Sequence, residues 1–188
     1  MNPIFAAALE VELACRGERF SFCFIGGLAV QRWGEPRMTA DVDLTLITGF
    51  GREEPFVDAL LRSFRGRLSD TRAFALQNRT LLLFASNGTP IDVSLGAMPF
   101  EERAVERSSA FDVGGGASVT TCSAEDLIVH KAFAAREKDW LDVRGIVVRR
   151  GAALVQGTIW SELLPLLELK DDETIEARLR ALLALAPT

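Results

Sequence analysis

Two carboxylates one residue apart, Asp41 and Asp43, are the side chains with the plainest chemical potential in this sequence. In an extended chain successive side chains alternate, so Asp41, Asp43 and Thr45 share one face while Val42, Leu44 and Leu46 take the other. Two strand rises put the same-face carboxylates roughly 6–7 Å apart. At an effective dielectric of about 20 they repel by roughly 2–3 kcal/mol. That cost points to a cation between them, or to solvent screening on the exposed face of an amphipathic strand. A third carboxylate follows in Ile91-Asp92-Val93-Ser94-Leu95, where Asp92 and Ser94 oppose Ile91, Val93 and Leu95. If the two strands are neighbours in one sheet, all three carboxylates lie on one face. Magnesium takes hard oxygen ligands, usually one or two carboxylates plus substrate phosphates. Two such ions can activate an attacking hydroxyl and neutralise a leaving pyrophosphate. The third carboxylate could hold the second metal or accept the hydroxyl proton. Asp41, Asp43 and Asp92 are the candidate metal ligands, with proton acceptance the alternative role for Asp92.

The elements that must position these groups begin with Phe20 to Ile25, a short apolar run expected as a buried strand. Gly26-Gly27 then turns the chain into a short helix from Leu28 to Trp33, closed by Gly34 and Pro36. The glycines would let the backbone approach a triphosphate, and the helix start offers free N–H groups. Arg37 and Thr39 would add a charge and a hydroxyl beside the same phosphates. Gly26, Gly27, Arg37 and Thr39 are thus the expected nucleotide contacts.

Elsewhere, residues 3–18 read as a helix with Pro3 in its first turn, and Glu53 to Phe64 as another. Ala73–Leu76, Thr80–Phe84 and Ile91–Leu95 read as three strands, with Asn87-Gly88 marking a hairpin. Phe100 to Glu106 reads as a short helix. Gly114-Gly115-Gly116 joins two further strands as a turn, because no helix or lysine follows it where a phosphate loop needs one. From Ser123, a helix cap with Asp126 three residues on, the chain reads as helical near 124–135, 138–150, 158–167 and 172–185. The expected division is a mixed α/β core over 1–121 and a helical region over 122–188 that closes a cleft.

Composition excludes several classes. No apolar run is long enough to span a bilayer, and the N-terminus lacks the basic and apolar regions of a secretion signal. Cys15, Cys23 and Cys122 have neither metal-site nor disulfide spacing, which fits buried thiols in a reducing cytoplasm. A net charge of −5 argues against broad nonspecific nucleic-acid binding but not against an RNA end held in a local basic pocket.

The run Ile25-Gly26-Gly27-Leu28-Ala29, followed by Arg37-Met38-Thr39-Ala40-Asp41-Val42-Asp43-Leu44, resembles the minimal nucleotidyltransferase fold of the DNA polymerase β superfamily. Within it, the sequence is similar to the nucleotidyltransferase toxins of type IV toxin–antitoxin and abortive-infection systems. Lys131, then Arg136-Glu137-Lys138-Asp139-Trp140-Leu141-Asp142, looks like that group's helical signature. The resemblance implies a mixed sheet flanked by helices. It also implies magnesium-dependent transfer of a nucleoside monophosphate from an NTP to an acceptor hydroxyl, with pyrophosphate released. It makes Asp41, Asp43, Asp92, Lys131 and Asp139 the expected catalytic residues, with Lys131 on the triphosphate and Asp139 lining the site. Many members of the superfamily carry Gly-Ser where this chain has Gly26-Gly27, whereas the toxin-like branch commonly has Gly-Gly.

The acceptor could be a tRNA end, a protein hydroxyl or a small molecule, and a cognate antitoxin is an implied partner. A resistance enzyme of the aminoglycoside or lincosamide kind shares Gly-Gly and Asp-x-Asp, and the negative net charge suits a cationic acceptor. A non-catalytic nucleotide-binding antitoxin is the third reading. Retention of three like-charged carboxylates argues against it.

Overall fold

The computed structural model describes residues 2–170, 172 and 174–187. The chain forms two compact units, one of residues 1–28 and 38–122 and one of residues 29–37 and 123–188.

The first unit holds a mixed seven-stranded sheet among the described residues. In chain order its strands are β1 (Phe22–Phe24), β2 (Val42–Ile47), β3 (Arg65–Gly66), β4 (Thr80–Phe84), β5 (Pro90–Gly96), β6 (Ser109–Gly114) and β7 (Ala117–Thr121). They lie in the order β3-β4-β5-β2-β1-β7-β6. The β2–β5 and β1–β7 pairs are parallel and the others antiparallel. The apolar alternation of β2 is satisfied on one face. Val42, Leu44 and Leu46 are wholly buried, in one cluster with Ala7, Ala8 and Val11 of helix α1 (Pro3–Gly17) and Val57 and Leu60 of helix α3 (Glu54–Ser63). Each such Val or Leu contributes about 1.5–3 kcal/mol by leaving water.

Helix α1 also carries a buried acid, Glu12, which holds strand β7. Its Oε2 accepts from the Thr120 backbone N–H at 2.9 Å, and its Oε1 accepts from the Thr120 hydroxyl at 2.8 Å and from Arg16 Nε at 2.6 Å. The three cysteines are buried thiols. Burial, followed by the charge of Glu12, pushes the Cys15 thiol up to about 12.

Two local expectations are corrected. Residues Ala73–Leu76 are not a strand but the middle of helix α4 (Thr71–Asn78). Asp70 caps that helix by accepting from the Ala73 N–H at 3.0 Å, and Arg79, at φ 54°, ends it. The alternating Ala-Phe-Ala-Leu run fits a strand equally well, and the side-chain cap decides against it. The outer strand is instead the two-residue β3, too short to leave a periodic signal. The helix after β1, α2, starts at Gly26 and runs to Trp33, two residues earlier than the sequence suggests.

Helix α5 (Pro99–Glu106) completes the first unit. The second unit contains α6 (Ala124–Ala134), α7 (Glu137–Arg150), a short 3-10 turn (Gly151–Ala153), α8 (Gln156–Leu167) and α9 (Thr174–Leu183). Ser123 caps α6 as expected: its hydroxyl accepts from the Asp126 N–H at 3.0 Å and donates to Asp126 Oδ2 at 2.6 Å. Leu127, Ile128, Val129 and Ala132 are fully buried, so α6 is central to a unit in which it packs on α7, α8 and α9. Among the described residues no helix is long and apolar enough to cross a membrane.

Candidate active site

In the first unit, parallel pairing of β2 and β5 sets Asp43 directly opposite Asp92. The neighbours Val42–Ile91 and Leu44–Val93 bury the other face, so hydrophobic register forces the two carboxylates onto the same side. Like charges directly opposed in a sheet destabilise it by about 0.2–1 kcal/mol. Arg67 offsets part of that cost through an ion pair with Asp92. Asp41 stands just before β2, and its Oδ1 accepts from the Thr39 hydroxyl at 2.8 Å.

The two glycines are required by this same assembly. Gly26 has φ +56°, and a Cβ there would fall 2.0 Å from Asp43 Oδ2. A Cβ on Gly27 would fall 2.4 Å from Thr39 Oγ1. The start of α2 is thus packed against the acidic residue and the hydroxyl, and no larger residue fits either position. Gly26→Ala is expected to cost about 1–2 kcal/mol in left-handed strain alone. It should also push Asp43 out of place and lower catalytic turnover by at least about ten-fold, since misplacement by 1 Å costs up to about 100-fold. Melting curves and kinetics of the variant check both effects.

Among the described residues no three His, Cys, Asp or Glu side chains converge into a metal cage. Asp43 beside Asp92, with Asp41 two residues away, offers hard carboxylate oxygens of the kind magnesium takes from protein. The donors present therefore fit that ion.

In the second unit, Lys131, Asp139 and Arg37 come together with two residues the sequence reading did not place among the site residues, Asp142 and Arg136. Lys131 Nζ lies 3.2 Å from Asp139 Oδ1 and 2.7 Å from Asp142 Oδ2. Arg136 holds Asp139 through Nε at 2.5 Å and Nη2 at 3.3 Å. Arg37 holds Asp142 through Nε at 2.7 Å and Nη2 at 2.8 Å. Neither Glu35 nor Asp41, the acids nearest Arg37 in sequence, takes this bidentate contact. The signal for Asp142 and Arg136 is present in the sequence: both are three residues from Asp139, the spacing that puts them on its helix face.

Burial pushes the Asp139 carboxyl up, but the hydrogen bond of Arg136 and the charge of Lys131 outweigh it and hold the group below its usual value. Burial likewise raises Asp142, and the hydrogen bonds of Arg37 and Lys131 overcome it. Unfolded Asp titrates near 3.9. The stability these lowered groups contribute is complete above that value and is lost as pH falls below it through the folded values. Acid unfolding of Asp142→Asn should accordingly show a shallower pH dependence below about pH 4 than the parent chain; identical acid curves would contradict the assignment.

A groove of about 750 Å³ in the second unit, lined in part by Pro36, Leu141, Arg144 and Val148, includes none of these network residues. Gly145 beside it is a packing residue, since a Cβ there would approach the Glu35 backbone N to 3.2 Å.

The family model of the nucleotidyl transferase AbiEii toxin, of type IV toxin–antitoxin systems, matches residues 7–183. Among solved structures, an antigenic nucleotidyltransferase-like protein from Paracoccidioides brasiliensis is similar, with a TM-score of 0.52 and 15% identity over 94% of this chain and 91% of that one. The solution structure of the antibiotic-resistance factor ANT(2'')-Ia gives a TM-score of 0.48 at 15% identity, over 98% of this chain and 91% of that one. A crystal structure of ANT(2'')-Ia with adenylyl-2''-tobramycin gives 0.45 at 15% identity, over 96% and 95%. The likeness in fold rests on the first of these. No curated protein matches the chain.

Proposed function

The chain belongs to the AbiEii nucleotidyltransferase toxin family, and from that premise we propose that it is a magnesium-dependent enzyme moving a nucleoside monophosphate from an NTP to the hydroxyl of an RNA end or a protein. The observation that carries this reading is the juxtaposition of Asp43 and Asp92 across β2 and β5, with Gly26 seated against Asp43. In the reaction the acceptor hydroxyl oxygen forms a bond to the α-phosphorus. The bond from that phosphorus to the bridging oxygen breaks, pyrophosphate leaves, and the hydroxyl proton passes to a carboxylate. Asp41 and Asp43 are the proposed magnesium ligands, and the ion would supply positive charge to the reacting phosphates. Asp92 is the proposed third member of the carboxylate set and the proposed proton acceptor, with Arg67 as its counter-ion. Gly26 and Gly27 admit the phosphate chain beside the start of α2, and Thr39 orients Asp41. Lys131 and Asp139, which the resemblance to the family singles out, are proposed as further catalytic residues.

Membership in a toxin family supports a role in a toxin–antitoxin pair with a cognate antitoxin. Incubation with α-labelled NTPs and magnesium, with tRNA, protein or an aminoglycoside as separate acceptors, tests the reading. Label is expected on tRNA or protein. Label on the aminoglycoside would make the chain a small-molecule enzyme. No transfer to any acceptor, with no heat stabilisation by NTP and magnesium, would sink the catalytic reading and leave a binding module.

A further inference from the structure

On the carboxylate-bearing face of the first unit, the sheet continues from β5 to its edge at β3. Leu82 of β4 lies opposite Asp92, and Arg65 of β3 lies opposite Phe84 of β4, while Leu81 and Leu83 bury the other face. Paired residues point to one side, and alternate residues share it, so Asp92, Leu82, Phe84, Arg65 and Arg67 belong to one surface. Two interstrand spacings and two residue rises separate the backbones of Arg65 and Asp92 by roughly 12 Å.

The two arginines of that surface differ in what holds them. Arg67 is engaged by Asp92. Arg65 is exposed and has no carboxylate partner among the described residues; its guanidinium carbon lies over Phe84, 4.6 Å from the ring centroid. Arg79, Arg178 and Arg180 also lie over aromatic rings, but each pairs with a glutamate as well, Glu53, Glu137 and Glu176 respectively. The ring fixes where the Arg65 guanidinium sits. Its donors are then held at the surface, and using them costs less further entropy than it would on a mobile side chain. Such a planar fork matches the oxygens of a phosphate, and arginine and aromatic side chains are the groups on which unstacked bases lie. With a net charge of −5 the chain has no general attraction for a polyanion, so a contact of this kind depends on single residues.

We propose that this edge of the sheet, Arg65 on Phe84, is a subsite for the acceptor, and that the acceptor is a single-stranded nucleic-acid end. Arg65 takes a backbone phosphate while the terminal hydroxyl lies at Asp92. An unmodified peptide brings a hydroxyl but no phosphate. The place of the hydroxyl rests on the nucleotidyltransferase reading; the charge and setting of Arg65 do not.

The test uses the full chain and two measurements. Binding of a fluorescent single-stranded RNA of about ten nucleotides, within the span of a single-strand site, is followed by anisotropy across a salt series at fixed magnesium. Label transfer from an α-labelled NTP gives kcat and KM for each substrate. Arg65→Gln should weaken RNA binding by about ten-fold or more, the loss expected for a charge-assisted hydrogen bond. The slope of log affinity against log salt should become shallower by about 0.7, the share of one single-strand phosphate. KM for the RNA should rise by a similar factor to the loss of affinity, with KM for the NTP and the melting temperature as in the parent. Arg65→Lys, which keeps the charge but not the fork, should fall between. Phe84→Leu should weaken RNA binding at the parental salt slope, because the charge stays and its seat is lost. Arg62→Gln removes an exposed arginine of the same unit that pairs with Glu18, and should leave binding unchanged. Parental RNA affinity in Arg65→Gln would overturn the proposal, as would an equal loss in Arg62→Gln. A raised KM for a protein acceptor in Arg65→Gln, with RNA affinity unchanged, would overturn the choice of a nucleic acid. RNA binding that depends on Arg65 in a parent chain that transfers no label would leave the RNA surface standing and defeat the nucleotidyltransferase reading. Transfer to RNA with the parental KM in Arg65→Gln would defeat the proposal and leave that reading intact.

Discussion

Asp43→Asn is expected to lower nucleotide transfer by at least about 10²–10³-fold, the range seen when one preorganised charge-stabilising group is removed from a reaction centre. Asp43 combines three constraints. It lies opposite Asp92 across a parallel strand pair, it fills the space above Gly26, and it stands two residues from Asp41. Asn keeps the size of the side chain, so the seat against Gly26 survives, while the anionic oxygen needed to hold a hard cation is lost. The fold should not suffer. Removing one of two facing like charges is worth about 0.2–1 kcal/mol to the sheet, or a rise of up to roughly 4 °C in melting temperature for a chain of this size. Loss of transfer with a neutral or slightly raised melting temperature is the expected signature. Retained activity would refute a metal-binding role, and a large drop in melting temperature would make Asp43 a structural residue.

Lys131→Met is expected to be the most destabilising single change in the second unit. The ammonium is the shared counter-ion of Asp139, which is 0% exposed, and Asp142, which is 5% exposed. Taking away one partner of a buried ion pair costs about 3–5 kcal/mol, because the remaining charge stays desolvated. Each carboxylate keeps its arginine, Arg136 on Asp139 and Arg37 on Asp142, which places the loss near the lower end of that range. Thermal unfolding should begin on the order of 10 °C earlier. Combining Lys131→Met with Asp142→Asn removes a charge of each sign and should recover part of the loss, the non-additivity expected of residues in direct contact. A shift below about 2 °C in the single variant, or strict additivity in the double, would show that the network contributes little.

Much of the first unit was legible because its signals are local. The alternation at Val42, Asp43 and Leu44 and at Ile91, Asp92 and Val93 allows only one set of faces once one face is buried. Asn87-Gly88 marks the turn between β4 and β5, and Gly88 has the expected positive φ of 82°. Ser123 is as strong a cap in the structure as in the sequence. Ala73–Leu76 was misread because a short alternating run suits a strand and a helix alike, and the deciding contact comes from a side chain just outside the run, Asp70.

By itself the sequence determined which residues share a face and which carry charge: a strand bearing Asp41 and Asp43, a second bearing Asp92, a Gly-Gly turn between strand and helix, and cations and acids on later helices. These are properties of backbone period and residue type. Only the tertiary structure decided partners. Sheet order, which depends on long-range pairing, put Asp43 opposite Asp92 and brought Arg67 to Asp92. Close packing explained Gly26 and Gly27 by what sits against them, Asp43 and Thr39. Helix packing joined Arg37 to Asp142, 105 positions away, and buried Lys131 between two acids. Desolvation ranks charges that look alike in sequence: Lys131 is buried between two acids, whereas Arg37 and Arg136 stay partly exposed.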